Sequence, residues 1–407
     1  MRLTTLANGL RVASRAMPGY ATAAVGLYVE SGSRSEPAAL NGIAHLFEHM
    51  VFKGAGGRSA RAISEAIEDV GGELNACTER EGTNFTASVM PEHVPLAVEL
   101  IADLVLRAHL SPDELAREKD VVLQELGEAR DTPNDIIFDE LWSAAFDAQP
   151  IGRSILGDEA SIERIGTGDL EAWRSGQFRG GNVILVGAGK VEHEALVALA
   201  ETQFAAVEPG QPAKPEPAHF TGGSRIGRTP SEQAHLTIGL AAPSNRAPDY
   251  LAARLFTDLV GGGMSSRLFQ ELREERGLAY SIYSVLHPFA DTGLFYAYAA
   301  TAKRQSADAA QLIEDIIRAA AADASQRELD RARIQARAAL LMSLETPWGQ
   351  AAYVARQLSI HGRLVEPAEV LEKLAAVTLD DVRAAGAAMV AGPRARATIG
   401  VPAVRAA

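Results

Sequence analysis

The chain has a single cysteine in 407 residues, Cys77. An intrachain disulfide is therefore excluded, and a reducing compartment is expected. Basic residues are outnumbered: 39 Lys and Arg stand against 52 Asp and Glu, a formal net charge of −13. That balance argues against a nucleic-acid partner and mildly favours basic peptides. No run approaches the roughly 18 apolar residues that span a bilayer, so no membrane partner is expected. Met1–Leu10 lacks the apolar stretch of a secretory signal, and the expected location is cytoplasmic. Gly261-Gly262-Gly263 precede a helical pattern without a following Gly-Lys-Ser/Thr, so a nucleotide P-loop is not expected. Three glycines there could cradle an anion; a flexible turn is the plainer reading. What is present, 47% hydrophobic and 22% charged residues, is the composition of a globular protein. The length exceeds one ordinary core and suggests two or more domains.

The most informative stretch is His45-Leu46-Phe47-Glu48-His49. It has the H-x-x-E-H order of inverted zinc peptidases. On a helix, positions i and i+4 share a face, so two imidazoles can converge on one metal. Glu48 projects to the same side, where a carboxylate serves as general base in metal-assisted hydrolysis. The pattern predicts a helix over Leu40 to Phe52, with Ile43, Leu46, Phe47, Met50 and Val51 as its apolar stripe, broken by Gly54-Ala55-Gly56-Gly57. A catalytic zinc takes three protein ligands and leaves one position open. Candidates for the third lie on a second predicted helix, which begins after Ser111 as N-cap and Pro112 at its first position. Glu118 and Glu125 are seven residues apart there, share a face, and either could turn inward.

The chain repeats itself. Ala24-Val25-Gly26-Leu27-Tyr28-Val29 echoes His235-Leu236-Thr237-Ile238-Gly239-Leu240, and His45–Val51 matches Arg254–Val260 at an offset of 209. Asp113-Glu114-Leu115 matches Arg327-Glu328-Leu329, and each half ends in a strand-like run, Asn182–Gly187 and Ala395–Gly400. Apolar positions survive in the second copy. His45, Glu48 and His49 become Arg254, Thr257 and Asp258, and Ala339 stands opposite Glu125. This joint loss favours a metal role in the first half only. Two copies are too few for a solenoid. The expected fold class is α+β, two tandem homologous domains, each a mostly antiparallel sheet with helices on one face. The expected boundaries are 1–208 for a zinc-binding domain, 209–223 for a Pro/Gly-rich linker and 224–407 for a homologous domain without zinc.

On His45–Gly54 and Glu118–Glu125 the chain resembles the pitrilysin, insulysin and mitochondrial processing peptidase family of inverzincin metallopeptidases. The resemblance supports the sheet-and-helix architecture and extends over nearly the whole chain. It implies a zinc endopeptidase with one Zn²⁺ per chain, held by His45, His49 and Glu125; Glu125 follows His49 by 76 residues. Glu118 is implied as a carboxylate supporting a ligand from behind, and Glu48 as the base that activates water. Asn75-Ala76-Cys77-Thr78 is implied as an exposed edge strand that binds peptide by strand addition, which gives affinity without much sequence specificity. Arg273 and Tyr280, seven apart, are implied as substrate and oxyanion contacts contributed by the second half. Related chains of this length work in pairs. Zinc motif and Arg/Tyr pair on one chain imply a homodimer closing into a chamber for short or unfolded peptides; the alternatives are a heterodimer with a related chain and a non-catalytic subunit of the same fold. The other seven histidines, isolated in sequence, are assigned no role.

Overall fold

The computed structural model of the chain describes residues 1–401. Its strands are β1 Arg2–Thr5, β2 Arg11–Ala16, β3 Ala23–Val29, β4 Gly54–Ala55, β5 Arg58–Ser59, β6 Glu73–Thr78, β7 Thr83–Val89, β8 Val183–Gly189, β9 Gly223–Gly227, β10 Gln233–Ala242, β11 Ala279–Pro288, β12 Gly293–Ala302 and β13 Arg394–Ile399. Its helices are α1 Ile43–Val51, α2 Ala60–Glu68, α3 Val94–Arg107, α4 Pro112–Asp131, α5 Pro133–Ala145, α6 Glu159–Arg164, α7 Thr167–Gln177, α8 His193–Gln203, α9 Tyr250–Gly261, α10 Ser306–Asp323, α11 Gln326–Ser343, α12 Pro347–His361, α13 Pro367–Ala376 and α14 Leu379–Ala391. None of the described helices is long and apolar enough to cross a membrane.

The strands form two large sheets with one topology. The first runs β1-β2-β8-β3-β7-β6, antiparallel except for the parallel pair β2–β8. The second, read from its far end, runs β9-β13-β10-β12-β11, antiparallel except for the parallel pair β9–β13. Strand for strand this repeats β2-β8-β3-β7-β6, so the echo in sequence is an echo in fold. Within these two sheets β1 is the one described strand without a counterpart, and β4 and β5 form a separate small pair.

Helices cover both faces of the second sheet, not one. Period-2 alternation divides β12: Phe295, Ala297 and Ala299 join one buried cluster with α9, α10 and α14, while Leu294, Tyr296, Tyr298 and Ala300 join another with α5. A strand buried on both faces reads as a continuous apolar run, and Leu294–Ala300 is such a run.

The compact units are not the two contiguous stretches expected. One comprises Met1–Leu126, Ser154–Glu216 and Leu341–Val365; the other comprises Gly127–Arg153, Pro217–Leu340 and the residues from Glu366 on. The chain does pass from one unit to the other at Glu216–Pro217, inside the proline-rich stretch. But α5, from the first half, packs on β9, β10 and β13, and α12, from the second half, packs on β2, β3 and β8. The cause is apolar burial. Ile137 and Leu141 of α5 are fully buried, and Leu141 fits against Gly239 of β10. Burying one such side chain contributes about 1.5–3 kcal/mol.

Two helix boundaries matter for the site. α1 starts at Ile43, not Leu40, because Gly42 adopts φ +92° and Ala38–Leu40 form a separate 3₁₀ turn. α4 starts at Pro112 as expected, with the Ser111 carbonyl accepting the Leu115 N–H at 2.9 Å.

Candidate metal centre

α1 divides cleanly by face. Ile43, Ala44, Leu46, Phe47, Met50 and Val51 are buried, and Phe47 lies 5.3 Å from the Phe178 ring. His45, Glu48 and His49, at helical spacing on the other side, are half-buried. Gly42 offers no side chain to cap the helix. Glu36 supplies the cap instead: Oε2 accepts the Gly42 N–H at 2.8 Å, and Oε1 accepts the Ala44 N–H at 2.9 Å. Sequence reasoning missed Glu36. Its only local signal was an acidic residue upstream of a glycine-started helix, at no standard capping distance.

α4 brings Glu118 and Glu125 to the same side. Donor atoms of His45, His49 and Glu125 all lie within 4.8 Å of one another. Glu125 Oε2 is 3.3 Å from His45 Nε2 and 3.6 Å from His49 Nε2. Tetrahedral donors about 2.0–2.2 Å from a shared zinc stand roughly 3.3–3.6 Å apart, so these separations fit that ion. His45 Nε2 is shielded from solvent and has no hydrogen-bond partner. Burial and the neighbouring His49 push His45 down to about 4. It is therefore a neutral imidazole at physiological pH, the form that ligates. An orphaned, neutral nitrogen facing a carboxylate and a second imidazole is what an open N₂O metal set requires.

Glu118 takes a different place. It is buried, with Oε2 3.2 Å from His49 Nδ1 and Oε1 2.8 Å from Lys53 Nζ. A carboxylate on Nδ1 fixes the ring so that Nε2 presents its lone pair. The two glutamates, equivalent by spacing alone, thus stand in different places, Glu125 beside both imidazole Nε2 atoms and Glu118 on His49 Nδ1.

Glu48 points to the edge of the sheet. It hydrogen-bonds to the side chain and backbone of Thr78, the last residue of β6. Burial pushes its carboxyl above the usual carboxylate range, although the Thr78 bonds and His49 pull the other way. β6 ends the first sheet, pairing only with β7, and no described strand is hydrogen-bonded to its outer edge. Its residues alternate, with Asn75 and Cys77 exposed and Ala76 and Thr78 half-buried. Asn75 Oδ1 accepts the Ala76 N–H at 2.8 Å. The Cys77 thiol is exposed, and partial desolvation, followed by Glu79 and Glu48, raises its pKa, so it is not an activated nucleophile.

Arg273 and Tyr280 belong to the other unit. Arg273 lies on a π-helical segment, Phe269–Glu275, and its guanidinium sits 4.8 Å from the Phe269 ring centroid and 4.7 Å from that of Tyr280. Tyr280 falls at a bulge in β11, where the register with β12 shifts between Ala279 and Ser281. The bulge turns it outward to 74% exposure. The two side chains therefore form one cation–π unit, and bulges of this kind re-aim side chains next to functional sites. In the turn after Gly261–Gly263, Arg267 is already paired with Glu328 and Asp323. His193 and His235 are buried in hydrogen-bond networks, the first with Thr4 and Ser14, the second with Ser231 and Tyr298.

Comparison with known proteins covers most of the chain. Residues 11–159 match the insulinase family (peptidase family M16), and residues 164–336 match the peptidase M16 inactive domain. An uncharacterized zinc protease of Mycobacterium tuberculosis is 35% identical over 394 residues, covering 94% of this chain and 89% of that protein. The beta subunit of the mitochondrial-processing peptidase of Saccharomyces cerevisiae is 32% identical over 401 residues, covering 94% and 87%. A crystal structure of a peptidase M16 inactive domain from Pseudomonas fluorescens superposes with a TM-score of 0.92 at 22% identity, covering 100% of this chain and 99% of that one.

Proposed function

The chain belongs to peptidase family M16, and from that premise we propose that it is a zinc-dependent endopeptidase acting on short or unfolded peptides. The observation that carries the reading is the convergence of His45, His49 and Glu125 within 4.8 Å, with the His45 Nε2 orphaned. These three hold one zinc per chain, and Glu118 orients His49. Zinc, when bound, supplies a Lewis acid that polarises the scissile carbonyl and acidifies water. Glu48 takes the proton from the attacking water and passes it to the leaving amine. Its raised pKa makes it a better base once ionised. A peptide extended along the free edge of β6 pairs its backbone with Asn75–Thr78, which brings its carbonyls to Glu48. Arg273 holds a substrate carbonyl or carboxylate, and Tyr280 donates to the developing oxyanion.

The domain roles follow the donors. Zinc chemistry belongs to the region 1–208 and the Arg/Tyr contacts to 224–407. The assembly is a cytoplasmic homodimer closing into a chamber. A heterodimer with a related chain is the second reading, favoured because the yeast relative is by name a subunit. Metal analysis together with cleavage of a quenched peptide, with and without chelator, tests the activity. Absence of chelator-sensitive cleavage from zinc-loaded protein rules the peptidase reading out. Mixing Arg273→Ala with Glu48→Gln chains tests the assembly. Subunit exchange restores about a quarter of wild-type activity if each site draws on both chains, and none if each site lies within one chain.

A further inference from the structure

Ser31, Ser33, Arg34, Glu36 and Asn41 lie within one short segment, and all are 4% exposed or less. Burying so many polar side chains is costly unless they are hydrogen-bonded. Ser31 bonds Gln177 and Asn182, and Arg34 also donates to the Glu216 carbonyl at 2.8 Å; two further sets of bonds bear on the site. One set grips the start of α1: Glu36 receives the Gly42 and Ala44 N–H groups, and the Asn41 side chain donates to Glu36 Oε2 at 2.7 Å and to the Ser154 carbonyl at 3.0 Å. The other set grips the turn between β6 and β7. The Ser33 N–H donates to the Glu79 carbonyl at 3.1 Å, the Arg34 N–H to the Arg80 carbonyl at 2.9 Å, and the Arg34 guanidinium meets Glu81 at 2.5 Å. Gly32 lies so close that a Cβ there would overlap the Glu79 carbonyl oxygen.

The two gripped ends carry the chemistry. His45 directly follows Ala44, one of the N–H groups that Glu36 holds. Thr78, which Glu48 touches, directly precedes the gripped turn. The first N–H groups of a helix are orphaned, and a carboxylate there also meets the positive end of the helix dipole. An active constellation must be held to within about 0.5 Å and 10–20°.

We propose that Glu36 and Arg34 are positioning residues: the segment Ser31–Gly42 locks the helix bearing His45, Glu48 and His49 in register with the edge strand β6. The register claim rests on the peptidase reading above; the claim on metal affinity does not. A glutamine at position 36 has one acceptor oxygen and releases one of the two N–H groups. Glu36→Gln should therefore weaken zinc binding about tenfold, as loss of an orienting partner does, and lower kcat on the order of tenfold to a hundredfold with KM nearly unchanged. Gly32→Ala and Arg34→Lys act on the other arm. They should raise KM for peptide severalfold and leave zinc affinity at the wild-type value.

Zinc affinity is read by chelator competition, kcat and KM by peptide cleavage, all well below the melting temperature of each variant. Lower melting temperatures with zinc affinity, kcat and KM unchanged would show a purely structural segment and overturn the proposal. If Glu36→Gln does not fold, Gly32→Ala and Arg34→Lys still decide it, since unchanged KM in both removes the lock on the edge strand. A wild-type chain that binds zinc but cleaves nothing sinks the peptidase reading, while the zinc affinity of Glu36→Gln still decides the role of Glu36.

Discussion

α1 and α9 occupy equivalent places in the two units and show what a duplicated scaffold keeps and gives up. Both bury an apolar face, and Phe47 and Phe256, at matching positions, are fully buried. Where α1 carries His45 and His49, α9 carries Arg254 and Asp258, and these satisfy each other: Arg254 Nε lies 3.2 and 3.1 Å from the two Asp258 carboxylate oxygens. One helix presents donors with an orphaned nitrogen among them; the other closes the same two positions with an ion pair. Aligning α4 and α11 on their Glu-Leu pairs, Glu114-Leu115 with Glu328-Leu329, an offset of 214, sets Ala332 opposite Glu118 and Ala339 opposite Glu125. The second unit thus has no counterpart of the proposed ligands, base and orienting carboxylate, and keeps the packing. Packing and chemistry are carried by different residues on the same helix.

The largest effect should come from making the first unit chemically like the second. Glu48→Gln should lower kcat by about 10²–10⁴-fold, the usual contribution of a positioned base, with zinc content unchanged. Turnover within tenfold of wild type would exclude Glu48 as the base. Glu125→Ala, which copies Ala339, should instead lose zinc; normal zinc content there, with loss in Glu118→Ala, would reverse the two carboxylates.

The next effect concerns the shared scaffold. Phe47→Ala and Phe256→Ala should each cost about 3–5 kcal/mol of stability, measured by denaturant unfolding. Similar costs support equivalent cores. A cost under about 1 kcal/mol at either position would break the equivalence.

A smaller effect lies in the second unit alone. Hydrogen bonding to Arg267 holds the Glu328 carboxyl down from the ordinary 4.5 to about 2. A lowered folded pKa contributes stability that is present above 4.5 and lost as pH falls through about 2. Glu328→Gln should flatten the acid limb of the melting curve between those values, and an unchanged limb would remove the pair from acid unfolding.

What could be read from the sequence follows from how local each feature is. His45, Glu48 and His49 were legible because one helical turn fixes their common face. The repeat was legible because buried strands and helices keep their apolar positions. The choice between Glu118 and Glu125 was not, since both lie on one face of α4 and only tertiary contact separates them; the family resemblance, not the spacing, favoured Glu125. Glu36 was invisible because it caps a helix across an intervening turn. The placement of α5 and α12 was invisible because their apolar faces fit either sheet in pattern, and long-range packing decides which.

The exchange of those two helices bears on how the chain is made. A fragment ending in the proline-rich stretch would carry α5 without the sheet it covers and would leave the first sheet bare where α12 belongs. During synthesis the first unit cannot close until residue 365 has emerged, by which time most of the second unit is also available. The two units are therefore expected to mature together rather than one after the other. A protease cut at Glu216–Pro217 should leave two pieces that stay associated, each needing the other's helix to finish its own sheet.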